Sequence, residues 1–148
     1  MKTILTAAAL IALAAPAFAD GDAEKGEKEF KKCKACHMIA SPDGEKIVKG
    51  GKTGPNLYGV IGRVAGSQED FKYGNGLKDA AEAGFVWTEE SIAVYMEDPK
   101  KWLDGEGFAK KTKMTFKMKK HQEDVAAFLA THSPDATAEE TEETKTDG

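Results

Sequence analysis

Long apolar runs are missing from this 148-residue sequence everywhere except in its first twenty residues. Helices that span a membrane are therefore not expected in the remainder of the chain. Internal repeats are absent, and the alternation of apolar and polar residues that marks strands is almost absent, which argues against repeat and sheet-rich folds. Cysteine is scarce as well, since the chain has only two. A structural zinc site commonly uses two pairs of ligands of this kind, so a zinc-stabilised domain is disfavoured.

The first residues have the pattern of an export signal. An early lysine is followed by an apolar, alanine-rich run, and Ala17 and Ala19 then place small residues before an acidic one. Such a run is too short for a comfortable membrane anchor and is typical of a cleaved secretory signal peptide. We therefore predict a signal peptide over residues 1–19, cleavage after Ala19 and a soluble mature chain.

Charge is distributed unevenly along the chain. The formal net charge is −4 at pH 7, yet residues 133–148 alone hold six acidic residues and one lysine. The rest of the mature chain is balanced, so any basic surface must come from clustering of its lysines. Because the C-terminal stretch is of low complexity and has no bulky apolar side chain, we predict a single domain over 20–132 followed by a disordered acidic tail over 133–148.

Three segments predict helices. Asp22 can cap the first, which has acidic residues early and lysines late, as the helix dipole prefers. Thr88 begins the second, and we expect Pro99 to stop it. The third covers 121–132, where an apolar stripe predicts packing against a core: Val125, Phe128 and Leu129.

Residues 41–84 are rich in glycine and show only fragments of periodicity, so this stretch predicts loops. A loop of about forty residues is unusual in a compact domain unless something other than a regular core organises it. The composition therefore indicates a small, mostly helical domain that surrounds a prosthetic group.

Both cysteines and one histidine lie in "CKACH", from Cys33 to His37. A disulfide between these cysteines would close too tight a ring to stabilise the chain, and a redox-active dithiol normally follows a strand, of which there is no sign here. A covalently attached haem accounts for every feature, since two thiols can add to the two vinyl groups of the porphyrin and place His37 within reach of the iron. The CxxCH motif in an exported chain is a strong signal for such a haem, and a periplasmic dithiol protein is the main alternative.

The second axial ligand decides between electron transfer and chemistry at an open coordination site. His121 and His132 fall near the ends of the last helix, where surface positions are expected, and Met96 lies on a helix stripe that predicts core. Met114 and Met118 both lie in "KKTKMTFKMKK", and periodicity does not separate them. A thioether ligand would raise the reduction potential of the iron.

Five blocks in order resemble the class I cytochromes c, and specifically the large cytochrome c2 or c550 type of bacterial periplasms. They are "CKACH", "KTGPNLYGVIGR", "WTEESIAVYMEDPKKWL", "TKMTF" and a closing helix with an aromatic residue. The resemblance covers roughly residues 22–132 and implies a small all-α class I cytochrome c fold, with helices and long loops wrapped around one covalently bound haem. Extra residues in two loops, "SPDGEKIVKGG" and "DGEGFAKK", place the chain with the larger bacterial forms.

Carried over to this chain, the resemblance implies a haem site residue by residue. Cys33 and Cys36 would hold one haem c through two thioethers, and His37 and Met114 would be the metal ligands. A carbonyl beside Pro55 would orient the His37 ring. The resemblance also implies that Tyr95 lies near the methionine sulfur. It places four groups around the haem propionates: Arg63, Tyr73, Trp87 and Thr112. It further implies a contact between the first and last helices through Gly26, Phe30 and Phe128.

The implied function is one-electron transfer rather than enzymatic catalysis. A periplasmic monomer would carry electrons from a membrane cytochrome bc1 complex or another donor to a terminal cytochrome oxidase or a photosynthetic reaction centre. Lysines flank both ligand segments, so we expect them to surround the haem edge and to steer acidic partners towards it. Nucleic acid is not an expected partner. The lysines are Lys31, Lys32, Lys34, Lys110, Lys111, Lys113, Lys117, Lys119 and Lys120.

Overall fold

The computed structural model describes residues 21–136. The predicted signal peptide, 1–19, lies outside the described residues, and so does most of the predicted tail, 137–148. Within the described range the chain is helical with one small hairpin, which confirms the predicted all-α class. The elements are α1 (Ala23–Glu29), continued by a 3-10 turn (Phe30–Lys32), β1 (Ile39–Ala40), β2 (Lys46–Val48), α2 (Asn75–Glu82), α3 (Glu89–Glu97), α4 (Pro99–Gly105) and α5 (Gln122–Thr131).

Helices α1 and α5 pack directly against each other. The Asp22 side chain accepts a hydrogen bond from the Lys25 N–H and caps α1, as predicted. Gly26 is buried at the crossing, where a Cβ atom on it would lie 1.9 Å from the Asp124 carbonyl oxygen. The rings of Phe30 and Phe128 meet beside it with centroids 5.5 Å apart. The predicted contact between the first and last helices is therefore confirmed, and it depends on the absence of a side chain at position 26.

Helix α3 begins where the sequence predicts but is followed at once by another helix. The Thr88 side chain accepts the Ser91 N–H, and the Ser91 hydroxyl accepts the Thr88 N–H, which completes a capping box. Helix α3 ends at Glu97, and Asp98 before Pro99 is extended, so the expected stop is confirmed, but Pro99 does not end the helical region. It opens α4 instead, because the Asp98 side chain caps the new helix and proline fits a first helical position without losing a hydrogen bond.

The stretch expected to consist of loops contains two regular elements. β1 and β2 pair antiparallel, with Ile39 opposite Val48. Helix α2 begins after Gly74, which offers no side-chain cap, and buries Gly76 and Ala80. The loop prediction for 41–84 is therefore wrong for β2 and α2, whereas β1 precedes that stretch. A strand of three residues and a helix whose buried residues are small lack bulky apolar side chains at regular spacing.

Packed structure continues four residues past the end predicted for the domain. Ser133 is fully buried, and its hydroxyl bonds both to the Leu129 carbonyl and to the Ile61 N–H. The chain turns after it, with the Ala136 N–H donated to the Ser133 carbonyl. The predicted start of the tail at residue 133 is therefore too early, and residues 133–136 belong to the packed part of the chain.

No helix in residues 21–136 combines the length and the apolar character that a membrane span requires.

Candidate functional site

A cavity of about 360 Å³ lies between the end of α1, helices α3 and α5, and the loops on either side of α2. Its walls are largely apolar and include Phe30, Leu57, Ile92 and Leu129. The loops supply more of the lining than the helices do. The cavity therefore has room for a flat apolar group at a place that the protein core does not fill.

Cys33, Cys36 and His37 all line this cavity. The chain leaves the 3-10 turn after α1 through two tight turns, in which Cys36 and His37 both donate their N–H groups to the Cys33 carbonyl, at 3.1 and 2.9 Å. Burial raises the pKa of the Cys33 thiol to about 11. A redox-active dithiol works through a thiolate with a lowered pKa, so the environment of Cys33 disfavours that alternative.

The His37 ring is held in one orientation. Its Nδ1 lies 2.8 Å from the Pro55 carbonyl oxygen, which accepts the Nδ1–H. Burial lowers the pKa of His37, although the bond to Pro55 opposes that shift, so the ring is neutral and Nε2 keeps its lone pair. A Cβ atom on Gly54 would lie 2.4 Å from Cε1 of this ring, so the glycine lets the backbone pack against the imidazole. The expectation that Pro55 orients His37 is confirmed.

Met114 and Met118 occupy different environments, although the sequence pattern does not separate them. Met114 lines the cavity and is partly buried, whereas Met118 is only 2 % exposed and is absent from the cavity lining. The Met118 N–H is donated to the Met96 carbonyl at 2.8 Å, which fixes it in the core. Met96 is buried, as expected, but also reaches the cavity.

Two hydrogen bonds position the segment that carries Met114. The Thr112 hydroxyl accepts the Met114 N–H at 3.1 Å and lies 2.9 Å from the Tyr95 hydroxyl. Burial raises the pKa of Tyr95, so its hydroxyl stays protonated and available as a donor. Tyr95 and Thr112, both expected at the site, therefore connect α3 to the loop that contains Met114.

Arg63, Tyr73 and Trp87 line the same cavity, as the resemblance implies. The Arg63 guanidinium donates to the Tyr58 carbonyl at 3.1 Å and to the Asn56 carbonyl at 3.2 Å. Burial lowers the pKa of Arg63, while Tyr73 and a nearby carboxylate oppose that shift. Since arginine ordinarily ionises far above neutral pH, this wall of the cavity carries a fixed positive charge.

Sequence reasoning missed Asn56. Its side chain accepts the N–H groups of Ala40 and Tyr58 and donates to the Ala40 carbonyl, so it joins the loop after Gly54 to the hairpin. The only signal available was its place in the block "TGPNL".

All nine lysines that flank the ligand segments are exposed, and Lys32 and Lys113 line the cavity itself. Three of the nine have acidic partners within ion-pair distance: Lys32 with Glu29, Lys110 with Asp104 and Lys117 with Asp98. Lys113 lies 5.6 Å from the centre of the Phe71 ring. Two of the nine lysines therefore lie at the cavity, and the charges of three of the nine are partly neutralised by acidic partners.

The cavity fits a porphyrin better than it fits a bare ion. Two thiols, an imidazole and a thioether line one largely apolar space. Among residues 21–136, no three His, Cys, Asp or Glu side chains lie close enough together to bind a metal ion. A haem bonded through the thiols would fill the apolar space, and the imidazole and the thioether are suitable iron ligands.

Comparison with known proteins agrees with this fit. No family model matches the chain. It is 59% identical over 143 residues to cytochrome c-550 of Paracoccus versutus, an alignment that covers 93% of this chain and 92% of the relative. It is 58% identical over 134 residues to cytochrome c2 of Rhodobacter capsulatus, covering 88% of this chain and 97% of the relative.

Solved structures give the same result. The crystal structure of cytochrome c2 from Paracoccus denitrificans has a TM-score of 0.76 and 62% identity, covering 79% of this chain and 100% of that one. Ferric cytochrome c-550 from Paracoccus versutus has a TM-score of 0.74, also at 62% identity, covering 77% of this chain and 99% of that one. The chain therefore belongs to the class I cytochromes c of the c2 and c-550 type, which are electron carriers with one covalently attached haem c.

Proposed function

We propose that this chain is a periplasmic one-electron carrier whose haem is attached through Cys33 and Cys36 and whose iron is bound by His37 and Met114. The observation that carries the proposal is that these four side chains line one cavity, with the Nδ1 of His37 already bonded to Pro55. The haem, when bound, supplies an iron that accepts and releases one electron. We propose no enzymatic reaction for it.

The contribution of the protein is to hold both ligand side chains still. The Pro55 carbonyl and the Gly54 backbone limit rotation of the His37 ring. Thr112 and Tyr95 hold the backbone of Met114. A fixed ligand set changes little between oxidation states, so little reorganisation accompanies electron transfer. The largely apolar walls and the thioether ligand favour the ferrous state and therefore a positive potential.

The ligand assignment is tested with two methionine variants. In Met114→Ala, the weak far-red absorption of the ferric protein, which reports iron–methionine bonding, should disappear. In the matched control Met118→Ala the band should remain, because Met118 is packed in the core away from the cavity. Loss of the band in Met118→Ala and its survival in Met114→Ala would overturn the assignment. A mature protein whose mass equals that of its amino acids alone would overturn the haem itself.

The proposed partners are membrane redox complexes: a cytochrome bc1 complex or other donor, and a cytochrome oxidase or a reaction centre as acceptor. The lysines that flank both ligand segments in sequence are exposed and two of them line the cavity, which supports docking of acidic surfaces, and a carrier gains from contacts that form quickly and dissociate quickly. Stopped-flow association rates with a purified acceptor complex should fall steeply as ionic strength rises. Rates that do not change with salt would contradict this docking surface.

The ends of the chain complete the proposal. We propose that residues 1–19 are removed on export and that the mature monomer begins at Asp20, two residues before the cap of α1. The acidic residues after Ala136 then form a tail beyond the packed domain. N-terminal sequencing of the periplasmic protein tests the cleavage site, and a start at any other residue would contradict it.

A further inference from the structure

The residues that follow α5 bind to a loop on the cavity wall. Among residues 21–136, Ser133 is the one buried polar residue, with 0 % exposure. Its hydroxyl donates to the Leu129 carbonyl at 2.8 Å and accepts the Ile61 N–H at 3.1 Å. One residue earlier, the His132 carbonyl accepts the Gly59 N–H at 2.8 Å. We call residues 132–136 the C-terminal latch.

The loop bound by the latch leads directly to Arg63. Residues 59–63 form no helix or extended strand, so hydrogen bonds from other segments determine their position. The latch supplies two of these bonds. Trp87 supplies two more, since its carbonyl accepts the Gly62 N–H at 2.8 Å and its N–H is donated to the Arg63 carbonyl at 2.9 Å. Without the latch, the backbone of 59–63 would keep only the two hydrogen bonds to Trp87 among these four, although Val60 and Ile61 would still pack in the core.

Arg63 in turn connects the loop to the side of the cavity where His37 lies. Its guanidinium donates to the carbonyls of Tyr58 and Asn56, and the neighbouring Pro55 carbonyl holds the His37 ring. Continuous hydrogen bonding and short stretches of backbone therefore run from Ser133 through Arg63 to His37. A shift of the loop would move Arg63, which within residues 21–136 is the one charged group both largely buried and on the cavity wall with Tyr73 and Trp87.

We propose that Ser133 is a positioning residue: it fixes the loop that carries Arg63 and so helps to set the reduction potential of the haem. The inference rests on the proposed function. A fixed positive charge beside the haem favours the reduced state, because reduction adds a negative charge and a low-dielectric surrounding screens the interaction weakly. If Arg63 moves or becomes more hydrated, the potential falls.

The first test compares two hydroxyl deletions at the end of α5, both in the holoprotein. Ser133→Ala removes the bond to Ile61 and should lower the midpoint potential reproducibly. The matched control is Thr131→Ala, since the Thr131 hydroxyl bonds only within its own helix, to the Phe128 carbonyl at 2.6 Å. The control should leave the potential unchanged. An unchanged potential in Ser133→Ala, or an equal fall in both variants, would overturn the proposal.

A double-mutant cycle separates positioning of Arg63 from general loosening of the fold. Arg63→Ala alone should lower the potential, and adding Ser133→Ala to it should have no further effect, because the charge to be positioned is gone. If Ser133→Ala lowers the potential equally in both backgrounds, it acts by another route and the proposal fails.

Hydrogen exchange of the unmodified holoprotein tests the latch even if Ser133→Ala does not fold. The Ile61 amide should be strongly protected, and exchange at the rate of a solvated amide would overturn the latch. Truncation adds a second check: a chain ending at Ala136 should keep its potential, whereas one ending at His132 should not. Loss of haem or of the methionine band in the unmodified protein would instead refute the proposed function, so the two failures are distinguishable.

Discussion

The crossing of α1 and α5 and the wall of the cavity are stabilised in different ways. At the crossing, two regular helices touch through Gly26 and a pair of phenylalanine rings. Around the cavity, residues 49–74 and 106–121 form no helix or extended strand. These loops are placed by individual hydrogen bonds, such as those of His37, Arg63 and Thr112.

The two regions differ in whether protein alone fills the space that they enclose. Each helix at the crossing buries the other, so van der Waals contact and apolar burial act across a filled interface. The cavity wall packs against protein on its outer side only. Its inner side needs the haem, which makes the cofactor part of the core of this protein and not a guest in a finished fold.

The largest effect is expected from removing the attachment of the haem. In Cys33→Ala/Cys36→Ala, the chain should purify without covalent haem, and most of its helical circular dichroism should be lost, because the cavity wall has no partner. Cooperative thermal unfolding of a colourless variant with native-like helicity would show instead that the loops are self-sufficient.

The next effect should come from the crossing itself. In Gly26→Val the new side chain meets the Asp124 carbonyl, since even a Cβ atom would lie 1.9 Å from that oxygen. Because the obstacle is backbone, we expect a loss above about 3 kcal/mol in the free energy of unfolding, the upper end of ordinary overpacking. Denaturant unfolding of the holoprotein measures it. Gly105→Ala is the control, because no atom lies within 4 Å of a Cβ there; equal losses would contradict this account.

Met118→Ala should have a smaller effect that is confined to stability. Met118 lies in the irregular segment after α4 but is packed with the helices, so its truncation should leave a void that costs about 3 kcal/mol. Met114→Ala, in contrast, should change the spectrum and the potential more than the packing. Unfolding curves and ferric spectra of both variants separate the two roles. If Met114→Ala lost much more stability than Met118→Ala, the positions assigned here to the two side chains would be wrong.

The smallest effect concerns a carboxylate that joins the two helices. The Asp22 N–H bonded to Asp124, together with His121, holds the pKa of the Asp124 carboxyl below its ordinary value. A carboxyl whose pKa is lowered by folding stabilises the folded state above its ordinary pKa, and that contribution disappears as pH falls through the folded value. Asp124→Asn should therefore cost less than about 1 kcal/mol at neutral pH.

Thermal unfolding at several pH values measures this contribution. The difference between Asp124→Asn and the unmodified protein should shrink as pH falls below about 4, and it should vanish below the lowered folded-state pKa, where the carboxyl is protonated in both states. The exposed neighbour Glu123→Gln is the control and should show little difference at any pH. A difference that grows on acidification would have the wrong sign for this carboxylate.

Local sequence signals predicted those features that depend only on residues close together in the chain. The caps at Asp22 and Thr88 each span only four residues, and both were predicted. Pro99 shows the limit of such signals, because the same proline is compatible with ending one helix and with beginning the next. Helix α2 was missed because it is only eight residues long and its buried positions, Gly76 and Ala80, are small, so it has no stripe of bulky apolar side chains.

For the cavity, too, the sequence predicted some features and missed those that depend on distant contacts. The order of the five blocks was enough to identify the family, and the comparisons confirmed it. The partners of the side chains were harder to predict, since Asn56 and Ser133 look like ordinary loop residues. Ser133 is buried because its hydroxyl meets an amide 72 positions away, and no local pattern reports such a distance.

By itself the sequence determined the covalent chemistry. Two thiols and an imidazole within five residues stay close together in the chain whatever the fold, so the proposed attachment of a haem through them could be predicted from spacing. Periodicity did not separate Met114 from Met118, and the family resemblance implied Met114; the tertiary structure showed that Met114 lines the cavity and where the packed domain ends. These outcomes depend on how distant segments exclude one another from the same space, and a periodic pattern of apolar residues does not contain that information.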